Sequence, residues 1–225
     1  RDAVKTGVFP EIHPDGDIIQ YVDKAEFQRL IDQAYKHPHD DDDYRIVAWR
    51  NRQVMRYNKY VRSLFTSNDL YQEGERLVVN NAIVGADGSV MFRTDQVVTV
   101  SHSSGAVQEY NIWGNYLQLG GSSELFVPFS WEEAKEYLNH LAKHKDWESF
   151  YKLKDFFCDI RPIHCNSVHK SQGSTYGTVF IDLTDIGRNT KNYEIARLLY
   201  VAISRASERV IMTGVLPKRL YELYE

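Results

Sequence analysis

Arg45-Ile46-Val47-Ala48-Trp49 is the stretch on which the fold turns. It is mostly apolar and does not alternate, the pattern of a strand in a parallel sheet covered on both faces. Upstream, Asp17-Ile18-Ile19-Gln20-Tyr21-Val22 reads as a short strand, and Asp23-Lys24-Ala25-Glu26 as an acidic N-cap with a carboxylate three residues on. Phe27, Leu30, Ile31 and Ala34 then recur at helical spacing and predict an amphipathic helix to about Lys36. His37-Pro38-His39 and the run Asp40 to Asp43 break it, and a second helix is expected from about Arg52 to Leu64. This is βαβ patterning and points to an α/β domain with a parallel sheet.

The texture changes near Gln72. Short apolar stretches follow at Arg76 to Val79, Gln96 to Val100, Tyr110 to Trp113, Tyr116 to Leu119 and Leu125 to Val127, punctuated by Gly74, Asp87-Gly88, Ser103-Ser104-Gly105 and Gly120-Gly121. Asp87-Gly88 is a hairpin signal. Ser130-Trp131-Glu132-Glu133 opens a helix with a capping box, and a second helix is expected to about Phe157. The α/β texture returns at Arg161, with a strand over Thr178 to Leu183, a helix from Asn192 to about Ser204, a strand over Glu208 to Thr213, and Pro217 placed for the first turn of a last helix. The expected organisation is an α/β domain in two parts, 1–71 and 161–225, interrupted by a β-rich barrel with helices over 72–160.

Composition narrows the classes. The 225 residues carry 27 Lys and Arg against 31 Asp and Glu, a net charge of −4, which excludes a histone-like protein held to nucleic acid by bulk charge but leaves room for a local basic groove. No apolar run reaches membrane-span length and no secretory signal is visible, so no membrane partner is expected. Cys158 and Cys165 are too few for a disulfide framework and fit a reducing cytoplasm. Arg1 to Gly7 reads like the end of a helix capped by Gly7, so the chain is expected to be part of something longer.

Two clusters in the last third carry chemistry. Ser167-Val168-His169-Lys170-Ser171-Gln172-Gly173-Ser174-Thr175 packs polar donors around one glycine directly before a buried strand, where backbone amides can approach an anion. Leu198-Leu199-Tyr200-Val201-Ala202-Ile203-Ser204-Arg205 is an apolar helix that delivers one arginine at its end, and a rigidly placed guanidinium can clamp phosphate oxygens and stabilise charge in phosphoryl transfer.

These segments resemble motifs V and VI of superfamily 1 helicases, most closely the Dda and RecD branch. Motif V there reads approximately T-x-H-K-x-Q-G-x-[ST], matched by Ser167 through Thr175, and motif VI L-L-Y-V-[AG]-[VI]-[TS]-R, matched by Leu198 through Arg205. Ile46-Val47-Ala48-Trp49-Arg50-Asn51 is similar to the segment opening that family's second motor domain, and the β-rich insert falls where Dda-like helicases carry an SH3-like subdomain. The resemblance implies a RecA-like, P-loop-NTPase-type second motor domain with an SH3-like insert. It implies ATP with Mg²⁺, bound mainly by an N-terminal motor domain, and single-stranded DNA as partners, with replication or recombination proteins and a bacterial or phage-infected cytoplasm as the setting. By the same resemblance Arg205 is an arginine finger, Gly173 and Thr175 couple nucleotide state to the strand, and Asn51, Arg50, Ser167, His169 and Lys170 face single-stranded DNA, with movement 5′ to 3′. Ser167 and Ser204 replace the commoner threonines and keep the hydroxyl, whereas Ser207 stands where several relatives carry another arginine. The chain contains no G-x-x-x-x-G-K-[ST] loop and no Asp-Glu pair ending an apolar strand, so by itself it cannot complete a Mg-ATP site.

Plainer readings stand beside these. Arg205 is also placed to pair with Glu194 or Glu208, and Asn51, Arg52 and Arg56 to form a solvated helix face. His37, His39 and Asp40 to Asp43 carry metal-type ligands but read as a solvated loop, and Cys158, His164 and Cys165 match no common zinc spacing, so no metal is expected. Trp113 and Tyr116 are assigned to the barrel core over base stacking. The alternative function is a non-catalytic helicase-like module that binds single strands or protein. A hydrolase using His169 has no G-x-S-x-G motif behind it.

Overall fold

The computed structural model describes residues 14–37, 39–68, 70–85 and 87–220, so the helix end expected over Arg1 to Gly7 lies outside the described residues. The expected mixed α/β class holds. The chain divides into two compact units, one running to Phe65 and resuming at His164, the other spanning Thr66–Ile163. No helix among the described residues is long and apolar enough to cross a membrane.

Strand β1 (Ile19–Val22) leads into helix α1 (Lys24–Lys36), whose N-cap Asp23 accepts the Glu26 amide at 2.8 Å. Phe27, Ile31 and Tyr35 are its buried stripe, spaced one turn apart. Strand β2 (Tyr44–Ala48) precedes helix α2 (Asn51–Arg62), which buries Val54, Asn58 and Val61.

The second unit contains strands β3 (Arg76–Val79), β4 (Ile83–Val84), β5 (Val90–Phe92), β6 (Val97–Ser103), β7 (Val107–Glu109), β8 (Ile112–Leu119) and β9 (Leu125–Pro128), helices α3 (Trp131–Lys143) and α4 (Trp147–Phe156), and strand β10 (Ile160–Pro162). It is a curled antiparallel sheet in the order β10-β3-β6-β8-β7, with β9 on β8 and a separate β4–β5 hairpin around Asp87-Gly88. Three expectations need correction here. Tyr110 to Trp113 and Tyr116 to Leu119 are not two strands: Tyr110 and Asn111 form the left-handed hairpin turn (φ 51° and 65°), and β8 runs unbroken through Gly114. Trp113 is not core; it is 52% exposed, because β8 alternates and Ile112 and Gly114 take the inward positions. The return to the α/β unit comes at His164, not Arg161, because β10 pairs with β3 and Arg161 grips the buried Asp159 carboxylate at 2.6 and 2.8 Å.

The chain then adds β11 (Cys165–Ser167), β12 (Tyr176–Asp182), the single-turn α5 (Leu183–Ile186), α6 (Asn192–Ile203) and β13 (Ala206–Thr213), and a 3-10 turn, Lys218–Leu220, follows Pro217. Five strands form one parallel sheet in the order β1-β13-β12-β2-β11. Its pleat sorts the side chains into two cores. Ile46, Ala48, Phe180 and Ile211 pack under α1 and α2, whereas Val47, Val179, Ile181, Val210 and Met212 pack under α6. The buried Asn58 amide pins the edge strand β11, donating to the Cys165 carbonyl at 3.0 Å and accepting its N–H at 2.8 Å.

This packing has two measurable consequences. A Cβ on Gly114 meets the Val127 carbonyl oxygen at 2.4 Å and the Phe126 ring at 2.6 Å. Gly114→Ala is therefore expected to cost about 1–3 kcal/mol of overpacking in urea unfolding, and an unchanged midpoint counts against this sheet. His164 lies edge-on to Tyr35 at 5.3 Å, and burial, then the Arg45 charge, lower its pKa to about 3 from 6.5. The unfolded chain takes up that proton first, so this contribution is whole above about pH 6.5 and drains away as pH falls toward about 3, by up to about 1.4 kcal/mol per unit. Urea midpoints of His164→Asn are expected to vary less between pH 7 and 4 than those of the parent; parallel curves refute this.

Candidate functional site

The nominated residues lie at the two edges of the parallel sheet and on the loop joining them. At the C-terminal edge, Trp49 and Arg50 carry the chain from β2 into α2. One carboxylate holds that junction. Asp185 accepts the Trp49 N–H at 2.7 Å and the Arg50 N–H at 3.0 Å on Oδ2, and the Arg50 Nε–H at 2.6 Å on Oδ1. Its side chain is 1% exposed, so the guanidinium and both amides are what keep the charge tolerable there. Beside it Asp182 caps α5, accepting the Asp185 N–H at 3.1 Å, and takes Gln53 Nε2 at 3.2 Å and the Tyr57 hydroxyl at 3.1 Å. Burial, reinforced by the Asp182 charge, pushes the Tyr57 phenol far above its usual range, so it stays a donor. Asn51 is exposed at the first turn of α2. Ser167 ends β11 opposite Ala48, and the next residue, Val168, donates its N–H to the Ala48 carbonyl at 2.9 Å, which sets Ser167 beside the same junction.

The loop after β11 starts at this edge and finishes at the other. Its first turn is rigid: Ser171 is fully buried and donates to the Val168 carbonyl at 2.8 Å, while the Lys170 N–H reaches Ser167 Oγ at 3.3 Å. His169 faces solvent and Lys170 is half-buried. Gly173 sits at φ +89° with open space around it, a bend that only glycine makes without strain.

At the N-terminal edge Arg205 leaves the end of α6. Its Nη1 donates to the Ser174 carbonyl at 3.0 Å, Nε to the Val201 carbonyl at 3.2 Å and Nη2 to Ser204 Oγ at 3.1 Å. Glu194 turns instead to Lys191 and Asn189, and among the described residues no carboxylate pairs with Arg205. Gly173, Thr175 and Arg205 thus gather here, while Arg50, Asn51 and Ser167 gather at the far edge, about 20 Å away along the seven residues of β12.

The sequence reading missed Asp182 and Asp185. Asp182-Leu183-Thr184-Asp185 ends a strand and repeats the acidic capping pattern of Asp23 to Glu26, a signal that was there to use. Both cysteines are buried, with Cys158 pushed up to about 12 and Cys165 well above the usual thiol range by desolvation. Among the described residues no three His, Cys, Asp or Glu side chains converge as a metal site.

Residues 162–213 match the UvrD-like helicase C-terminal domain. The match runs from the end of β10 through the glycine loop and Arg205 to the end of β13. Uncharacterized protein R530 of Acanthamoeba polyphaga mimivirus is 39% identical over 67 residues, 29% of this chain and 14% of that protein. Among solved structures, the Pif1 helicase of Candida albicans aligns with 99% of this chain and 56% of its own, at 11% identity and a TM-score of 0.41. The Bacteroides Pif1 helicase in complex with ADP-AlF3 and ssDNA aligns with 90% and 49%, at 12% identity and a TM-score of 0.40. The chain spans about half the length of these helicases.

Removing the Asp185 carboxylate strands Arg50 and two amides. Asp185→Ala is expected to lower the stability of the α/β unit by about 3 kcal/mol in urea denaturation; a loss below about 1 kcal/mol means the junction is held by something else.

Proposed function

We propose that this chain is the second motor half of an ATP-dependent DNA helicase of the Dda and RecD type, with residues of the Thr66–Ile163 unit as its SH3-like insert. One observation carries the reading. Arg205 has no carboxylate partner among the described residues and is tied through Ser174 to a loop whose other end is fastened beside Arg50 and Asn51. An arginine held by carbonyl and hydroxyl oxygens keeps its full charge for an anion, and its planar fork suits phosphate oxygens. The match over residues 162–213 agrees with this reading.

Mg-ATP supplies the phosphoryl group to be transferred and the metal that neutralises its charge, both held mainly by a phosphate-binding domain that pairs with this one. Arg205, half-buried at the end of α6, offers charge stabilisation from the opposite wall. Its surroundings suit that role, since they combine one uncompensated cation with a bend at Gly173 that has no atom within 4 Å of where a side chain would stand. When Arg205 turns toward a phosphate it gives up or stretches its bond to Ser174. The loop's first turn is fixed through Ser171, so displacement at Ser174 acts along the loop toward His169 and Lys170 rather than dissipating in a floppy segment. Asn51, Arg50, Ser167, His169 and Lys170 grip the backbone of one DNA strand at the C-terminal edge and carry no base code, as a translocating motor requires. Movement is 5′ to 3′.

In the intact protein that carries this chain, Arg205→Ala is expected to reduce kcat for ATP hydrolysis by about 10³-fold while leaving the Kd for oligo-dT within about threefold. Loss of strand binding with ATPase activity retained overturns the assignment.

A further inference from the structure

A cavity of about 570 Å³ opens at the C-terminal edge of the parallel sheet, beneath α1 and α2. That volume is in the range of small-molecule sites. Its rim carries Lys24, Arg50, Arg56 and Arg188 against the carboxylates Asp23, Asp182 and Asp185. Each carboxylate has hydrogen-bond donors of its own, but among the described residues only Asp185 is paired with a cation. Asp23 takes the Glu26 amide, Asp182 takes Gln53, Tyr57 and the Asp185 amide, and Asp185 takes Arg50 with two backbone N–H groups. Of the cations only Arg50 is paired; Lys24, Arg56 and Arg188 have no side-chain partner among the described residues. The rim therefore carries four cations against three carboxylates, a formal excess of one positive charge.

Its walls are aromatic. Phe27, Tyr57 and Tyr60 line it, and the two phenol hydroxyls are already engaged, Tyr57 with Asp182 and Tyr60 with Asp32, so the rings offer mainly apolar contact. Tyr21 at the mouth is fastened in the same way, its hydroxyl on the Gly214 carbonyl at 2.6 Å. Cations at a rim above aromatic walls suit a ligand with an anionic end and a flat apolar end. The position suits it too: β2 and β12 are neighbours whose following helices leave over opposite faces, and the crevice outside such strand ends is where open α/β sheets bind ligands.

We propose that this cavity is a nucleotide subsite, taking a phosphate on Arg56 and Arg188 and a nucleobase against Tyr57 and Tyr60. The phosphorylated nucleoside is either a free nucleotide or one unit of a single strand. The strand-borne form rests on the proposal that this edge faces single-stranded DNA, whereas the free form stands without it.

The test uses the full 225-residue chain with two probes, fluorescein-labelled dT12 and dTMP. The parent is compared with the double charge reversal Arg56→Glu/Arg188→Glu and with Arg52→Ala, an exposed neighbour outside the cavity lining. Circular dichroism and melting confirm that each variant is folded; all three side chains are exposed, so folding is expected to survive. The reversal is expected to weaken dT12 binding about tenfold or more and to reduce the slope of log K against log salt by about 0.7, the share of one neutralised phosphate. Arg52→Ala changes neither. In the parent, dTMP is expected to displace dT12, and that competition disappears in the reversal. Loss of dTMP binding with dT12 binding unchanged assigns the subsite to free nucleotides. Unchanged binding of both probes, or an equal effect of Arg52→Ala, overturns the proposal. The ATPase of the Arg205→Ala intact protein reads the motor assignment separately, so either idea can fail alone.

Discussion

Asp185 carries a full charge to a position where its side chain is 1% exposed, and it is tenable there because three N–H groups from Trp49 and Arg50 close around it. Those donors belong to the segment after β2, and Asp185 to the segment after β12. The two strands are neighbours, and the helices that follow them depart over opposite faces of the sheet. Without a cross-tie the strand ends would simply gape. With it, the start of α2 is fixed against α5, and Asp182 extends the seam by holding Gln53 and Tyr57 one and two turns further along. The places of Asn51 at the edge and Arg56 at the cavity rim both follow from where that seam sets the helix.

The same sheet separates the two groups of nominated residues by the length of a strand. Arg205 and the glycine bend lie where β12 and β13 begin, and Asn51, Arg50 and Ser167 lie where β2 and β11 end. A parallel sheet is stiff along its strands, so neither group reaches the other by bending it. The connection is the loop over residues 168–175, hydrogen-bonded to Ala48 at one end and to Arg205 at the other. Its buried Ser171 makes one half rigid, and Gly173 makes the other half a bend. If Arg205 is drawn toward a phosphate as proposed, a rigid arm with one bend would pass the displacement on where a uniformly flexible loop would absorb it.

Much of this was legible in the sequence, because local rules write it there. The unbroken apolar character of Ile46 to Ala48 announced a sheet covered on both faces, and the Asp23 and Ser130 caps announced α1 and α3. Where the reading failed, the deciding partner was remote. Tyr110 to Trp113 and Tyr116 to Leu119 read as separate stretches, yet Gly114 between them lies inside β8 and is the residue that lets Phe126 and Val127 close on it. Trp113 looked like core, but in a strand the neighbours across the sheet choose the face, and Ile112 and Gly114 had taken the inner one. Arg161 looked like the return to the α/β domain because nothing local reveals that Asp159 and β3 hold it in the insert. The cavity was least visible of all. Its walls come from segments as far apart as Tyr21 and Gly214, 193 positions along the chain.

Net charge misleads for a related reason. A chain at −4 would be expected to repel phosphates, and at long range it does. At physiological ionic strength, however, a charge is felt over only about 8 Å, so the sign at a site is set by the few groups around it. What matters there is which signs the fold gathers within that distance. Around the cavity Lys24, Arg50, Arg56 and Arg188 outnumber Asp23, Asp182 and Asp185 by one, and at the other edge Arg205 is held by neutral oxygens, with no carboxylate partner among the described residues. A local excess of one charge at the cavity and one guanidinium held by neutral oxygens at the other edge are enough for an acidic chain to offer positive charge in both places.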